Sequence, residues 1–178
     1  MTNDSAYDDI IGPLAASSGV PVALVKGIIA EESGFNPNAT NTTGSDGARG
    51  GAFGLMQVTM TTALGMGFSG SDDALRDPTT NLTLGIRFLG YAFEQADGDW
   101  GRTASIYNGG KSLGDGTYSD QSYVSAVLNY AQQYGGTPLS SSGQPLPPPA
   151  SATNVASAES LAAFVGAAII AGIVWASR

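Results

Sequence analysis

Apolar residues recur along most of the chain at helical rather than strand spacing. Ile10, Ile11, Leu14 and Ala15 share one face of a helix over residues 7–18, in which Pro13 predicts a kink or a later start. Gly19 closes that segment, and Pro21 suits the first turn of a second helix over 21–33. A short helix follows near 59–64. Asp77-Pro78 then pairs an N-cap with a proline at the first helical position, opening a longer helix. Its stripe is Leu82, Ile86, Leu89 and Phe93, at i, i+4, i+7 and i+11. Asp99 caps a helix over 100–107. The last helix covers about 121–134, with Tyr123, Val124, Val127, Leu128 and Ala131 inward and Gly135 as its stop. Strand patterns are scarce. Residues 38–54, rich in Gly, Asn and Thr, hold either a small hairpin or only a loop. The pattern predicts an all-α domain, α+β at most.

The pattern fails after residue 136. Residues 137–159 carry Pro145, Pro147, Pro148 and Pro149 among Ser, Gly and Ala, a composition that favours extended backbone and flexibility. Such a tether spans roughly 25 Å on average. Residues 161–176 are then uncharged and apolar all round. As a helix they cover about 24 Å, slightly less than a hydrocarbon core, and Trp175 suits an interface position. A buried helix packed on the domain is the other reading, which the long Pro-rich tether disfavours. Ala168, Gly172 and Ala176 form a small-residue row that suits a partner helix. The predicted layout is a domain over 1–136, a linker over 137–159 and a transmembrane helix over 160–178, with lipid as a partner. The N-terminal residues MTNDSAYDDI lack the apolar run of a signal peptide.

Composition narrows the chemistry. The 178 residues include no Cys and no His. That excludes Ser-His-Asp and Cys-His catalysis, zinc ribbons and disulfide frameworks. Proton transfer must run on carboxylates, Tyr or Lys. The formal net charge is −8, all of it ahead of residue 137, because Glu159 and Arg178 cancel in the tail. The basic residues of the front segment are scattered, which excludes nucleic acid as a partner.

One carboxyl is aimed inward. With Ile28 at 0° and about 100° per residue, Leu24, Val25 and Ile29 fall at about −40°, +60° and +100°. Glu32 lands at about +40°, inside that stripe, and Glu31 at about −60°, on its edge. Desolvation, the Glu31 charge and the negative end of the helix dipole all raise the pKa of a carboxyl placed there. A Glu kept protonated near neutral pH is what a general acid requires. A satisfied structural Glu is the alternative on geometry alone.

Three ordered motifs accompany it: Glu32-Ser33, then Gly54-Leu55-Met56-Gln57, then Tyr107-Asn108-Gly109-Gly110, with Asn81, Gly85 and Leu89 between. This series, over roughly residues 8–134, resembles the soluble lytic transglycosylase family, whose lysozyme-like domain cleaves the glycan of peptidoglycan. The resemblance implies Glu32 as catalytic acid and then base. It implies a sugar cleft lined by Gln57, Met56 and the Gly54–Leu55–Met56 backbone, a hydrogen bond from Tyr107 to Glu32, and Asn108 as a substrate contact. The bond cleaved would be the MurNAc–GlcNAc β-1,4 link, giving 1,6-anhydro ends. No metal or organic cofactor is implied.

Two departures matter. The family usually carries a Pro near Met60, and a Ser or Thr on the loop before the Gly-Leu-Met-Gln run. Here that loop is longer, and Thr40, Thr42, Thr43 or Ser45 fits the second role. Residues 45–58 also look like goose-type lysozyme, in which an Asp of this loop helps position water. Asp46 therefore keeps open a hydrolytic alternative, since inversion needs a second carboxylate. A non-catalytic, membrane-tethered glycan-binding module is the reading outside enzymology. Peptidoglycan lies outside the cytoplasmic membrane, whereas a C-terminal span emerges last from the ribosome. Two resolutions remain: the anchor is translocated N-out, which Arg178 behind the span favours, or the enzyme is carried by a bacteriophage particle. The second is the preferred reading, because it removes the export problem: an anchor in the virion membrane or entry device, other virion membrane proteins as partners, and local wall opening for genome entry as the task.

Overall fold

The computed structural model describes residues 4–42, 51–109, 118, 120–140 and 143–146. Among them the chain forms helices α1 (Asp8–Ser17), α2 (Val22–Ser33), α3 (Met60–Gly65), α4 (Pro78–Gln95), α5 (Trp100–Tyr107) and α6 (Gln121–Gln133). Strands β1 (Thr40–Asn41), β2 (Ala52–Phe53) and β3 (Val58–Thr59) and a 3-10 helix at Asp72–Arg76 complete the list of elements. The architecture is mostly helical with a small sheet, as the apolar spacing predicts.

The caps act where the sequence places them. The Asp77 carboxylate accepts from the Thr80 N–H at 2.8 Å, and Asp99 accepts from the Arg102 N–H at 2.9 Å. Leu82, Ile86 and Leu89 of α4 are fully buried, and the whole inward stripe of α6 is buried with them. α2 lies against α6 more extensively than any other helix pair. Gly27 permits this approach, because a Cβ there would meet the Val127 carbonyl at 2.7 Å. Two segments behave differently from expectation. α1 starts at Asp8 and runs through Pro13; both Pro13 and Asp9 are exposed, so the Asp9 carbonyl that loses its N–H partner meets water. Between 38 and 59 the chain forms a three-stranded antiparallel sheet in the order β1-β2-β3, pairing Thr40 with Phe53 and Phe53 with Val58.

Part of the segment after residue 136 packs on the domain. The Trp100 N–H, an orphan donor at the start of α5, donates to the Leu139 carbonyl at 2.9 Å. The Leu146 N–H donates to the Pro138 carbonyl at 2.8 Å, and Leu139 pairs with Pro145 in an antiparallel bridge. Leu139 and Leu146 pack on the core. Residues 138–140 and 143–146 therefore belong to the folded unit, because a helix terminus needed an acceptor and two leucines found apolar cover. The predicted transmembrane segment, 160–178, lies outside the described residues. Among those described, no helix is long and apolar enough to cross a membrane.

Candidate active site

Glu32 sits in the last turn of α2, which Gly34 ends in a left-handed conformation (φ 58°), its N–H returning to the Ala30 carbonyl. The side chain points inward, as its helical phase requires, yet remains partly accessible. The Tyr123 hydroxyl of α6 donates to Glu32 Oε1 at 2.7 Å. Burial pushes the Glu32 carboxyl up to about 8; the Tyr123 hydrogen bond opposes that shift, and the neighbouring Glu31 charge adds to it. Glu31 is raised as well, by burial first and by the Asp120 charge second. The result is an acid that keeps its proton near neutral pH.

The Gly54–Gln57 turn is tied to this acid from three sides. The Ser33 hydroxyl, next in sequence to Glu32, donates to the Leu55 carbonyl at 2.7 Å. The Tyr107 hydroxyl donates to the Met56 carbonyl at 2.8 Å. Asn81, fully buried on α4, accepts from the Met56 N–H at 2.8 Å and donates to the Phe53 and Leu75 carbonyls, both at 2.7 Å. Glycines make these approaches possible. A Cβ on Gly54 (φ 74°) would lie 2.5 Å from Asn81 Nδ2, and one on Gly85 would lie 2.6 Å from the Met56 sulfur. Gln57 itself adopts a left-handed backbone (φ 46°). Its Nε2 donates to the Gly54 carbonyl at 3.0 Å and the Ala39 carbonyl at 3.3 Å.

The hydrogen bond expected between Tyr107 and Glu32 is made by another phenol. Tyr107 spends its hydroxyl proton on Met56, so the phenol bonded to Glu32 is Tyr123. Burial and then the Glu32 charge raise the Tyr107 hydroxyl well above its ordinary range. Leu55 and Met56 are fully buried, and their side chains hold the turn in the core. Asn108 follows Tyr107 at the end of α5 and donates from Nδ2 to Asp120 Oδ2 at 3.4 Å. Of the loop hydroxyls, that of Thr40 accepts from Arg76 at 3.3 Å. Asp46, Thr43 and Ser45 lie outside the described residues.

Tyr123 is the site residue that sequence reasoning assigned to the core alone. The signal for its second role was present: a phenol on a buried stripe must find a polar partner. Among the described residues no group of three or more carboxylates is placed to hold a metal ion. What the arrangement offers is one protonatable carboxyl oriented by a phenol, beside a turn whose polar backbone is fixed.

Comparison with known proteins follows the same residues. The model of the transglycosylase SLT domain family matches residues 9–121. The soluble lytic murein transglycosylase of Escherichia coli K12 is 30% identical over 112 residues, which are 59% of this chain and 16% of that protein. The chain thus spans about one-sixth of the length of the curated relatives it matches. An inactive mutant of the lytic transglycosylase Slt from Pseudomonas aeruginosa superposes with a TM-score of 0.59 at 23% identity, covering 74% of this chain and 24% of that one. For the 70 kDa soluble lytic transglycosylase of Escherichia coli the TM-score is 0.52 at 24% identity, covering 72% and 19%. The structural likeness is one of fold. The family match spans the helices that carry Glu32, Asn81 and Tyr107, and on it the chain belongs to the transglycosylase SLT domain family.

Proposed function

We propose that the protein is a peptidoglycan lytic transglycosylase in which Glu32 serves as both acid and base. The observation that carries this reading is the Glu32 carboxyl itself: partly accessible, oriented by Tyr123 and protonated to about pH 8. Glu32 donates its proton to the glycosidic oxygen as the bond to C1 of MurNAc breaks. The carbonyl oxygen of the substrate's own N-acetyl group closes on C1 and takes up the positive charge. The resulting Glu32 carboxylate then removes the proton of the C6 hydroxyl, whose oxygen attacks C1 and releases the N-acetyl oxygen. Glu32 ends protonated, no water is consumed, and the product is a 1,6-anhydro sugar. One titrating carboxyl suffices for both steps. Gln57 and Asn108, with the backbone of the Gly54–Gln57 turn, are the proposed sugar contacts.

Hydrolysis with Asp46 as the second carboxylate is the competing outcome. Mass spectrometry of digested peptidoglycan decides between them, since an anhydro product is lighter by one water, about 18 Da, than its hydrolysed counterpart. Anhydro ends are expected from the wild type, and from Asp46→Asn at nearly the same rate. Hydrolysed ends, or a large loss of rate in Asp46→Asn, would replace this reading by a lysozyme-type one. Sacculi that are bound and never cleaved would leave a glycan-binding module.

The place of action is proposed on sequence grounds. The apolar run at 161–176 fits a membrane anchor, and a wall-cleaving domain on such an anchor fits delivery by a bacteriophage particle. Fractionation is expected to find the full-length protein in purified particles, with lipid or the entry device. Finding it in the host envelope alone would rule this out.

A further inference from the structure

We infer that Asp120 is a positioning residue that decides which side of the Asn108 amide meets substrate; the inference rests on the transglycosylase reading above. Asp120 precedes α6 and divides its two oxygens between two tasks. Oδ1 accepts from the Tyr123 N–H at 3.0 Å and from the Ser122 hydroxyl at 2.6 Å, capping the helix. Oδ2 accepts from Asn108 Nδ2 at 3.4 Å. A carboxylate can only accept hydrogen bonds. Asn108 must therefore turn its amino group toward Asp120, which leaves Oδ1, the acceptor, as the atom offered elsewhere. An acceptor at that point suits the N–H of an acetamido group, which every sugar of a peptidoglycan strand carries.

The same carboxylate reaches the acid by a second route. It caps the helix whose third residue, Tyr123, holds Glu32. Its charge, after burial, also raises the Glu31 carboxyl of α2. Asp120 thus couples the orientation of a substrate contact to the seat of the phenol that orients the acid. The groups converging there come from three elements: Glu31 and Glu32 from α2, Tyr107 from α5 with Asn108 as its C-cap, and Tyr123 from α6.

Three single variants and one double variant test this on soluble glycan strands, with KM, kcat and Tm all measured. Ser caps a helix about as well as Asp, so Asp120→Ser keeps α6 capped while it loses the grip on Asn108 and the charge felt at Glu31. Asp120→Asn caps through its own Oδ1 and offers Asn108 an amino group, which turns that amide the wrong way round. Both variants are expected to raise KM roughly five- to tenfold, the effect of one lost hydrogen bond, with a smaller change in kcat and little change in Tm. Asn108→Ala should raise KM similarly and add nothing in the Asp120→Ser/Asn108→Ala double variant. Unchanged KM in both Asp120 variants of an active enzyme would overturn the inference alone, as would Asp120 and Asn108 effects that multiply fully. A purely structural cap would lower Tm and kcat and leave KM in place. A wild-type protein that neither binds nor cleaves the strands would overturn the transglycosylase reading, and this inference with it.

Discussion

Glu32→Gln is expected to lower turnover on peptidoglycan by at least about 10³-fold, within the range that a positioned acid–base group supplies. Gln keeps the shape of Glu and accepts the Tyr123 hydroxyl, but it neither gives nor takes the proton. The same variant should be more stable than the wild type at neutral and alkaline pH. The folded Glu32 carboxyl holds its proton up to about 8, against an ordinary value of 4.5. Between those values the folded state binds more protons than the unfolded one, so stability is greatest below the lower value and declines as pH rises through the upper one. Gln escapes that decline, and its advantage should grow to roughly a few kcal/mol by pH 8. Melting temperatures from pH 5 to pH 8 measure this directly, and a variant that is inactive yet more stable separates lost chemistry from lost fold. Glu31→Gln should stay within about tenfold of the wild type, since it touches the acid only through charge. Removing that charge lowers the Glu32 pKa, so the alkaline limb of its activity profile should move to lower pH. Glu32→Gln retaining activity while Glu31→Gln loses it would reverse the assignment.

The features legible in the sequence are those with a local cause. Stripes at Leu82, Ile86 and Leu89 and at Val124, Val127 and Ala131 forecast burial because helical phase alone decides it. Asp77 and Asp99 were readable as caps because a cap acts on an N–H three residues away. The inward turn of Glu32 follows from the same periodicity. Features that depend on a distant partner were not legible. The phenol that reaches Glu32 is 91 residues along the chain, and Tyr107 spends its proton on a carbonyl 51 residues back. Both tyrosines are aromatic, inward and helical, so the sequence offered no way to tell which one meets the acid. The 3-10 helix at Asp72–Arg76 buries a single side chain, Leu75, and one apolar residue has no period to detect. The Leu139 carbonyl accepts the first N–H of α5, a distant partner that composition does not reveal.

Asn81→Leu is expected to be the most destabilising substitution away from the acid. Asn81 is fully enclosed and uses its amide on three backbone groups: the Met56 N–H and the carbonyls of Phe53 and Leu75. Leu has nearly the same size and fills the space, but strands one donor and two acceptors in a site without solvent exposure. Each orphaned group costs about 1–3 kcal/mol, and some relaxation offsets the sum, so a loss of roughly 3–5 kcal/mol is expected. Asn81→Asp should do little better. A carboxylate accepts from Met56 but sets its second oxygen against two carbonyls, with no proton to give either. The Met56 carbonyl is where Tyr107 docks, so the loosened turn should also reduce activity under conditions where the variant remains folded. Thr83→Ala, on the exposed face of the same helix, removes only a hydroxyl bonded to the Thr79 carbonyl and serves as the control, within about 0.5 kcal/mol of wild type. Urea unfolding of the three variants measures these differences through the midpoint at constant slope. If Asn81→Leu unfolds within about 1 kcal/mol of the wild type, the turn is held by its apolar side chains, Leu55 and Met56, and the amide clamp is dispensable.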